Sequence, residues 1–64
     1  MQNLLTIKQV AEILQVKVST IYDWVYRGKI RHIKLGKMLR FFEEDILNYI
    51  NSNIVDELRI PYHE

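Results

Sequence analysis

The sequence has no cysteine, one proline and two glycines among its 64 residues. Without cysteine, neither a disulfide framework nor a thiolate metal site is available, which is compatible with a cytoplasmic location. No apolar run approaches the roughly 20 residues of a membrane-spanning helix, and the first residues lack the basic start and long apolar stretch of a signal peptide. We therefore expect a cytoplasmic protein without membrane contact, folded as one small domain with a modest core.

The residues that most enzyme active sites require are also missing. The chain has no glycine-rich phosphate-binding loop, and no serine, histidine and acidic residue are arranged for nucleophilic catalysis. His32 and His63 are not spaced with any aspartate or glutamate as metal ligands are. We expect a protein that is not an enzyme and that binds neither a metal nor a cofactor.

The charged residues divide the chain into two parts of opposite sign, although its net charge is only +1. Residues 8–40 hold eight Lys and Arg against two acidic residues, a net charge of +6. Residues 41–64 hold one Arg against six acidic residues, a net charge of −5. A polyanion such as double-stranded DNA is attracted to the first part and repelled by the second. The alternative is ordinary solvated surface charge.

Two amphipathic helices with a short turn between them are predicted from residue 6 to residue 28. Thr6 is the expected N-cap of the first helix, and Gln9 stands where a capping box requires it. The second helix is expected to start near Val18 and to stop at Gly28, which tolerates a left-handed conformation. Apolar residues at helical spacing mark the inward faces of the two helices: Ile7, Val10, Ala11 and Leu14 in the first, and Ile21, Trp24 and Val25 in the second.

The apolar spacing changes to alternation between residues 30 and 41, which predicts two short strands around a turn at Gly36 and Lys37. We expect this hairpin to pack on the helices through Ile33, Leu35, Leu39 and Phe41. A third helix should follow, since acidic residues favour a helix N-terminus; its first turn holds Glu43, Glu44 and Asp45, and its apolar face Ile46, Leu47 and Ile50. The predicted fold class is mainly α with a small β-hairpin, which presents one helix and one basic wing to nucleic acid.

The order of short motifs in residues 4–50 resembles that of the excisionase-like helix-turn-helix domains, relatives of the MerR-type winged helix-turn-helix. The resemblance rests on Leu5-Thr6-Ile7, Ala11-Glu12-Ile13-Leu14, Ser19-Thr20-Ile21-Tyr22-Asp23-Trp24-Val25, Arg27-Gly28-Lys29-Ile30, Ile33-Lys34-Leu35-Gly36-Lys37 and Arg40-Phe41. It implies that the second helix enters the major groove of DNA and that the hairpin reaches the neighbouring minor groove or backbone. Family members include excisionases, which bend DNA to direct a recombinase, and small transcription regulators, and some occupy repeated sites head to tail.

Three residues depart from the family pattern. Gln15 replaces the usual turn glycine, so the turn must adopt a strained backbone angle or a different shape. Lys17 replaces the usual serine cap of the second helix, a loss of about 1 kcal/mol, although a lysine adds a phosphate ligand. Asp23 stands where a basic residue is common, so the base preference of the family at this position does not carry over to this chain.

The candidate DNA contacts lie on the second helix, directly after it and on the wing. The cations at the helix end and on the wing are the strongest phosphate or groove ligands, because DNA affinity is dominated by phosphate contacts. The full set of candidates is Lys17, Ser19, Thr20, Tyr22, Asp23, Tyr26, Arg27, Arg31, Lys34, Lys37 and Arg40.

Several of these candidates have a second role open to them. Ser19 and Thr20 either contact DNA or cap the helix locally. Tyr26 either contacts DNA or packs partly in the core. Asp23 accepts a hydrogen bond from a cytosine amino group, pairs with Arg27 four residues later, or repels phosphates; of these, the ion pair is preferred.

Residues 1–52 are predicted to form the winged helix-turn-helix domain, and residues 53–64 a C-terminal extension that is partly helical or docks on a partner. The leading functional hypothesis is a sequence-specific DNA-binding protein of a mobile element: an excisionase, or recombination directionality factor, that bends DNA to help an integrase. Head-to-tail self-association on DNA belongs to this hypothesis. One alternative is a small stand-alone transcriptional regulator, and another is a protein-interaction module without DNA binding.

Overall fold

A computed structural model describes residues 3–56 as three helices and a three-stranded sheet. The elements, in chain order, are β1 (Leu4–Thr6), α1 (Ile7–Leu14), α2 (Val18–Tyr26), β2 (Ile33–Leu35), β3 (Met38–Phe42) and α3 (Glu43–Ser52). The strands are antiparallel and lie in the order β1-β3-β2. The predicted winged helix-turn-helix is therefore confirmed, with one correction: the hairpin gains a third strand, β1, on the far side of β3.

The N-terminus of α1 is held by the predicted capping box. The Thr6 hydroxyl Oγ1 accepts a hydrogen bond from the Gln9 backbone N–H at 3.1 Å, and Gln9 Oε1 accepts one from the Thr6 backbone N–H at 2.8 Å. These two bonds satisfy backbone donors that an uncapped helix leaves free. Because Thr6 is also the last residue of β1, the strand passes into the helix without a loop.

The turn between α1 and α2 contains a residue in the left-handed conformation, which is costly for any residue other than glycine. Gln15 has φ 56° and ψ 46°, the left-handed region, and the Val16 N–H donates to the Ala11 carbonyl at 3.0 Å. Left-handed geometry costs an ordinary residue roughly 1–2 kcal/mol. Lys17, the N-cap of α2, makes no side-chain capping bond. Both departures from the family pattern are therefore structural weaknesses of the turn.

Replacement of Gln15 by Gly should stabilise the protein. Glycine enters the left-handed region without a Cβ clash, so the free energy of unfolding should rise by about 0.5–1 kcal/mol after the greater freedom of glycine in the unfolded chain is subtracted. Urea denaturation measures the change. Glu12→Gly is the matched control: this exposed residue has right-handed helical geometry, and glycine there should cost about 1 kcal/mol. A destabilised Gln15→Gly protein would contradict the left-handed turn.

The core lies where the three helices meet the sheet. Its fully or nearly fully buried side chains are Val10, Ala11, Ile21, Ile30, Phe41 and Ile46. Trp24 is half-buried against this cluster. Its ring centroid lies 5.5 Å from that of Tyr49 in α3, and the two ring planes make an angle of 41°. This tilted contact is a favourable aromatic geometry. Trp24 therefore packs against the core, as predicted, and joins α2 to α3.

Two of the predicted core residues are on the surface. Leu35 is 46% exposed, because the strand pairs are Lys34 with Leu39 and Leu35 with Met38. Directly paired residues share a face of the sheet, so Leu35 lies on the outer face with Met38, whereas Leu39 lies on the inner face. The half-buried Ile33 shares the outer face with Leu35, so the predicted inward packing of Ile33 is also wrong, and Ile30 is buried instead.

Leu47 is the other misplaced residue, at 53% exposure. Helix α3 faces the core with Ile46, Tyr49 and Ile50, which follow the spacing i, i+3, i+4. Leu47 follows Ile46 by one residue and is turned about 100° away from it around the helix axis.

Helix α3 ends at Ser52, and Asn53 is its C-cap. Ile54 and Val55 follow it and are exposed. The apolar residues Leu58, Ile60 and Tyr62, with the rest of residues 57–64, lie outside the described part of the chain. Of the helices within residues 3–56, none is both long and apolar enough to cross a membrane.

Candidate nucleic-acid interface

Helix α2 turns a continuous polar and aromatic face away from the core. Positions 19, 22, 23 and 26 follow the spacing i, i+3, i+4, i+7 of a single helix face, and Arg27 continues it. Tyr26 is 93% exposed, so the alternative that placed it in the core is wrong. Thr20 is half-buried beside this face. The exposed residues of the α2 face are Ser19, Tyr22, Asp23, Tyr26 and Arg27.

The preferred ion pair on this face is present. Arg27 Nε donates a hydrogen bond to Asp23 Oδ1 at 3.0 Å and lies 3.0 Å from Oδ2. The two side chains are 61% and 50% exposed, so the pair adds little stability in water. Its effect is to orient the guanidinium group and to place a negative charge beside it.

The turn end of α2 carries the remaining helix candidates. Lys17 is exposed, and its carbonyl accepts the Thr20 and Ile21 backbone N–H groups at 3.0 and 3.3 Å. Ser19 is exposed beside it. The side-chain hydrogen bonds of residues 3–56 include none from the Ser19 or Thr20 hydroxyl. Local capping by these hydroxyls is therefore not observed, and the exposed Ser19 hydroxyl remains available to a ligand.

The β2–β3 hairpin, residues 33–42, forms the wing. Gly36, at φ 61°, and Lys37 make its two-residue turn, and Lys34 and Lys37 are exposed. Arg40 is half-buried: its Nη1 donates to the Leu39 carbonyl at 2.7 Å, and Nη2 lies 3.8 Å from Met38 Sδ. The two lysines are therefore freely presented, whereas the Arg40 guanidinium lies along its own strand.

Arg31 lies between α2 and the wing and contacts the start of α3. Its Nε is 3.6 Å from Asp45 Oδ2, with Arg31 itself largely exposed. Asp45 therefore offsets part of the positive potential around Arg31. Lys29 is a further exposed cation in the loop between α2 and β2, and it is absent from the set of DNA contacts predicted from the sequence. Its position directly after the glycine that follows α2 is the signal that points to it.

Other chemistry has little support in this part of the chain. Residues 3–56 contain no cluster of His, Cys, Asp or Glu side chains placed to hold a metal ion. His32 is exposed, and its Nδ1 lies 3.2 Å from the Ile30 carbonyl oxygen. His63 lies outside the described residues. The acidic residues Glu43 and Glu44 are exposed in the first turn of α3, where the helix dipole favours them.

The α2 face and the wing should affect DNA binding differently. Lys37→Ala should weaken binding to all duplex sequences alike and reduce the slope of log affinity against log salt by about one unit. Tyr22→Ala or Ser19→Ala should instead change the preference among sequences. Affinities for a panel of duplexes at several salt concentrations measure both effects. Lys8→Ala on α1 is the matched control and should leave the slope unchanged. Altered preference in Lys37→Ala alone would contradict this docking.

Comparison with known proteins agrees with the fold. No curated protein sequence matches the chain at a significant level. A family described as a helix-turn-helix domain matches residues 4–54, which include both helices of the motif, the wing and α3. A helix-turn-helix domain implies DNA binding. The chain belongs to the excisionase-like helix-turn-helix domain family.

Proposed function

We propose that the protein is a sequence-specific DNA-binding protein of a mobile element, an excisionase that bends DNA to help an integrase. The observation that carries the proposal is the combination of the exposed α2 face and a lysine-bearing wing in one helix-turn-helix domain. An α-helix fits the major groove, where base edges are distinguishable. The wing then lies against the neighbouring groove or backbone, and contacts on both sides of a backbone favour bending.

Protein contacts are the second part of the proposal, and two exposed apolar surfaces support them. On the wing, Leu35 and Met38 are exposed next to basic residues. On α3, Leu47 is exposed three and four residues after Glu44 and Glu43, which places all three on one side of the helix. The two surfaces are apolar and opposite in charge, as a head-to-tail contact between neighbouring copies requires.

The integrase is the other partner in this proposal. The proposal also includes a cytoplasmic location and a division of the chain into a DNA-binding domain at residues 1–52 and an extension at residues 53–64. Ile54 and Val55, exposed after α3, are apolar residues that a protein partner could cover.

Footprinting and bending assays on the DNA that flanks the gene test the function. We expect protection of repeated sites, bending of the DNA, and stronger occupancy in the presence of an integrase encoded beside the gene. Protection of a promoter site without any effect of a recombinase would support a stand-alone transcriptional regulator instead. Absence of binding to any duplex would reject the DNA-binding proposal and favour a protein-interaction module.

Substitution in α3 tests self-association separately from DNA contact. Leu47→Lys should abolish cooperative occupancy of repeated sites and leave affinity for a single site unchanged, because Leu47 lies outside the α2 face and the wing. Asn48→Lys is the matched control: it adds the same charge at the next exposed residue of α3. Equal cooperativity in the Leu47→Lys protein and the unaltered protein would contradict a contact through this surface.

A further inference from the structure

Asp23 stands in an unfavourable place for a DNA-binding protein. It lies on the exposed α2 face, where a carboxylate is close to phosphate groups once the helix enters a groove. Its exposed ion pair with Arg27 is too weakly stabilising to explain its presence by folding. The geometry of the pair offers a better explanation.

Both Asp23 carboxylate oxygens lie 3.0 Å from a single atom of Arg27, the side nitrogen Nε. Among residues 3–56, no other hydrogen bond or ion pair involves the Arg27 side chain. The carboxylate therefore occupies one edge of the planar guanidinium group and leaves the Nη1 and Nη2 groups free at its end. Two parallel N–H donors in this arrangement match the O6 and N7 acceptors of guanine in the major groove.

The other arginines of the α2–wing region are not presented in this way. Arg40 uses Nη1 on the Leu39 carbonyl, so its fork is partly occupied. Arg31 also uses Nε, but its partner Asp45 lies on α3, and the contact is longer at 3.6 Å. Arg27 alone of these three is oriented by a residue of the α2 face.

We infer that Arg27 reads one guanine in the major groove and that Asp23 is the positioning residue that holds it for this contact. The inference rests on the proposed DNA binding and gives it a base-specific contact. The Asp23 charge has a second effect: it opposes phosphate binding by the same arginine. Non-specific affinity falls while the guanine contact is kept, and specificity is the ratio of the two affinities.

The experiment selects preferred duplexes from a randomised pool with the full chain. Affinity is then measured for the selected duplex and for copies in which one G·C pair at a time is replaced by A·T. For the intact protein, replacement of one particular G·C pair should lower the affinity far more than replacement of the others, and this preference should depend on Arg27. Arg27→Ala should reduce that preference by roughly 5- to 150-fold, the range for a bidentate base contact. Arg31→Ala, which also removes one paired arginine, should weaken all duplexes alike.

The Asp23 variants separate positioning from simple repulsion. Asp23→Ala should lose most of the guanine preference, although it should bind random DNA more tightly and with a salt slope steeper by about one unit as Arg27 turns to a phosphate. Asp23→Asn removes the same charge but keeps an acceptor for Nε, so it should retain more of the preference. Glu12→Gln on α1 is the control for charge removal and should leave base preference unchanged. Thermal melting confirms that these exposed substitutions preserve the fold.

Each contrary result has its own meaning. Uniform weakening of all duplexes by Arg27→Ala would make Arg27 a phosphate ligand and overturn the inference, while DNA binding stands. Unchanged guanine preference in Asp23→Ala would overturn the positioning role. Failure of the intact protein to bind any duplex would reject the proposed function together with this inference.

Discussion

Phe41→Ala is expected to remove most or all of the folded state. Phe41 is fully buried in the central strand β3, where it pairs with Leu5 of β1. Truncation of a buried phenylalanine costs about 3–5 kcal/mol, because contacts are lost and a cavity remains. A domain of this length has only about 3–10 kcal/mol of stability in total. Urea denaturation followed by circular dichroism measures the loss.

Phe42→Ala is the matched control for this prediction. Phe42 is the next residue of β3, lies on the opposite face of the sheet and is only half-buried. The same change in chemistry should therefore cost clearly less than at Phe41. Equal losses in the two variants would contradict the assignment of the inner and outer faces of the sheet.

A steep decrease in DNA affinity with salt is the second large effect expected. Four to six cationic contacts predict a log–log slope of about −4 to −5. Between 50 and 200 mM monovalent salt, that slope corresponds to a loss of affinity of roughly 250- to 1,000-fold. The cations expected to supply these contacts lie at the start of α2, in the loop after it and on the wing: Lys17, Lys29, Arg31, Lys34, Lys37 and Arg40.

Fluorescence anisotropy of a labelled duplex at several salt concentrations measures this slope. The double variant Lys34→Ala, Lys37→Ala should lower its magnitude by about two units, because each lysine releases roughly one counterion from DNA. The exposed acidic residues of α3 make no favourable phosphate contact, so Glu44→Gln should leave the slope nearly unchanged. A flat salt response on duplex DNA would contradict binding through these cations.

The features that were correctly predicted depend on residues close together in the chain. The capping box joins Thr6 to Gln9, and the Asp23–Arg27 ion pair spans one helical turn. Such pairs meet as soon as the helix forms, whatever the rest of the fold does. The left-handed Gln15 is the first of the two outcomes that the missing turn glycine predicts, a strained backbone angle or a different turn shape.

The faces of the wing were accessible to sequence reasoning but were assigned wrongly. The turn at Gly36 and Lys37 contains two residues, so Leu35 must pair with Met38 and Lys34 with Leu39. Lys34 therefore shares the inner face with Leu39, and Leu35 shares the outer face with Met38. Each strand alternates in sequence, but the pairing between strands decides which alternate set of residues faces the core.

The sequence by itself determined the local elements of this protein: two helices around a tight turn, a two-residue hairpin turn and a third helix begun by acidic residues. Only the tertiary structure decided what distant segments do. Leu4–Thr6 becomes a strand because β3 offers it an edge, and Arg31 meets Asp45 because α3 returns to the loop after α2. The physical reason is range: local geometry follows from contacts within about one helical turn, whereas strand partners and outer faces follow from how the whole chain closes around its core.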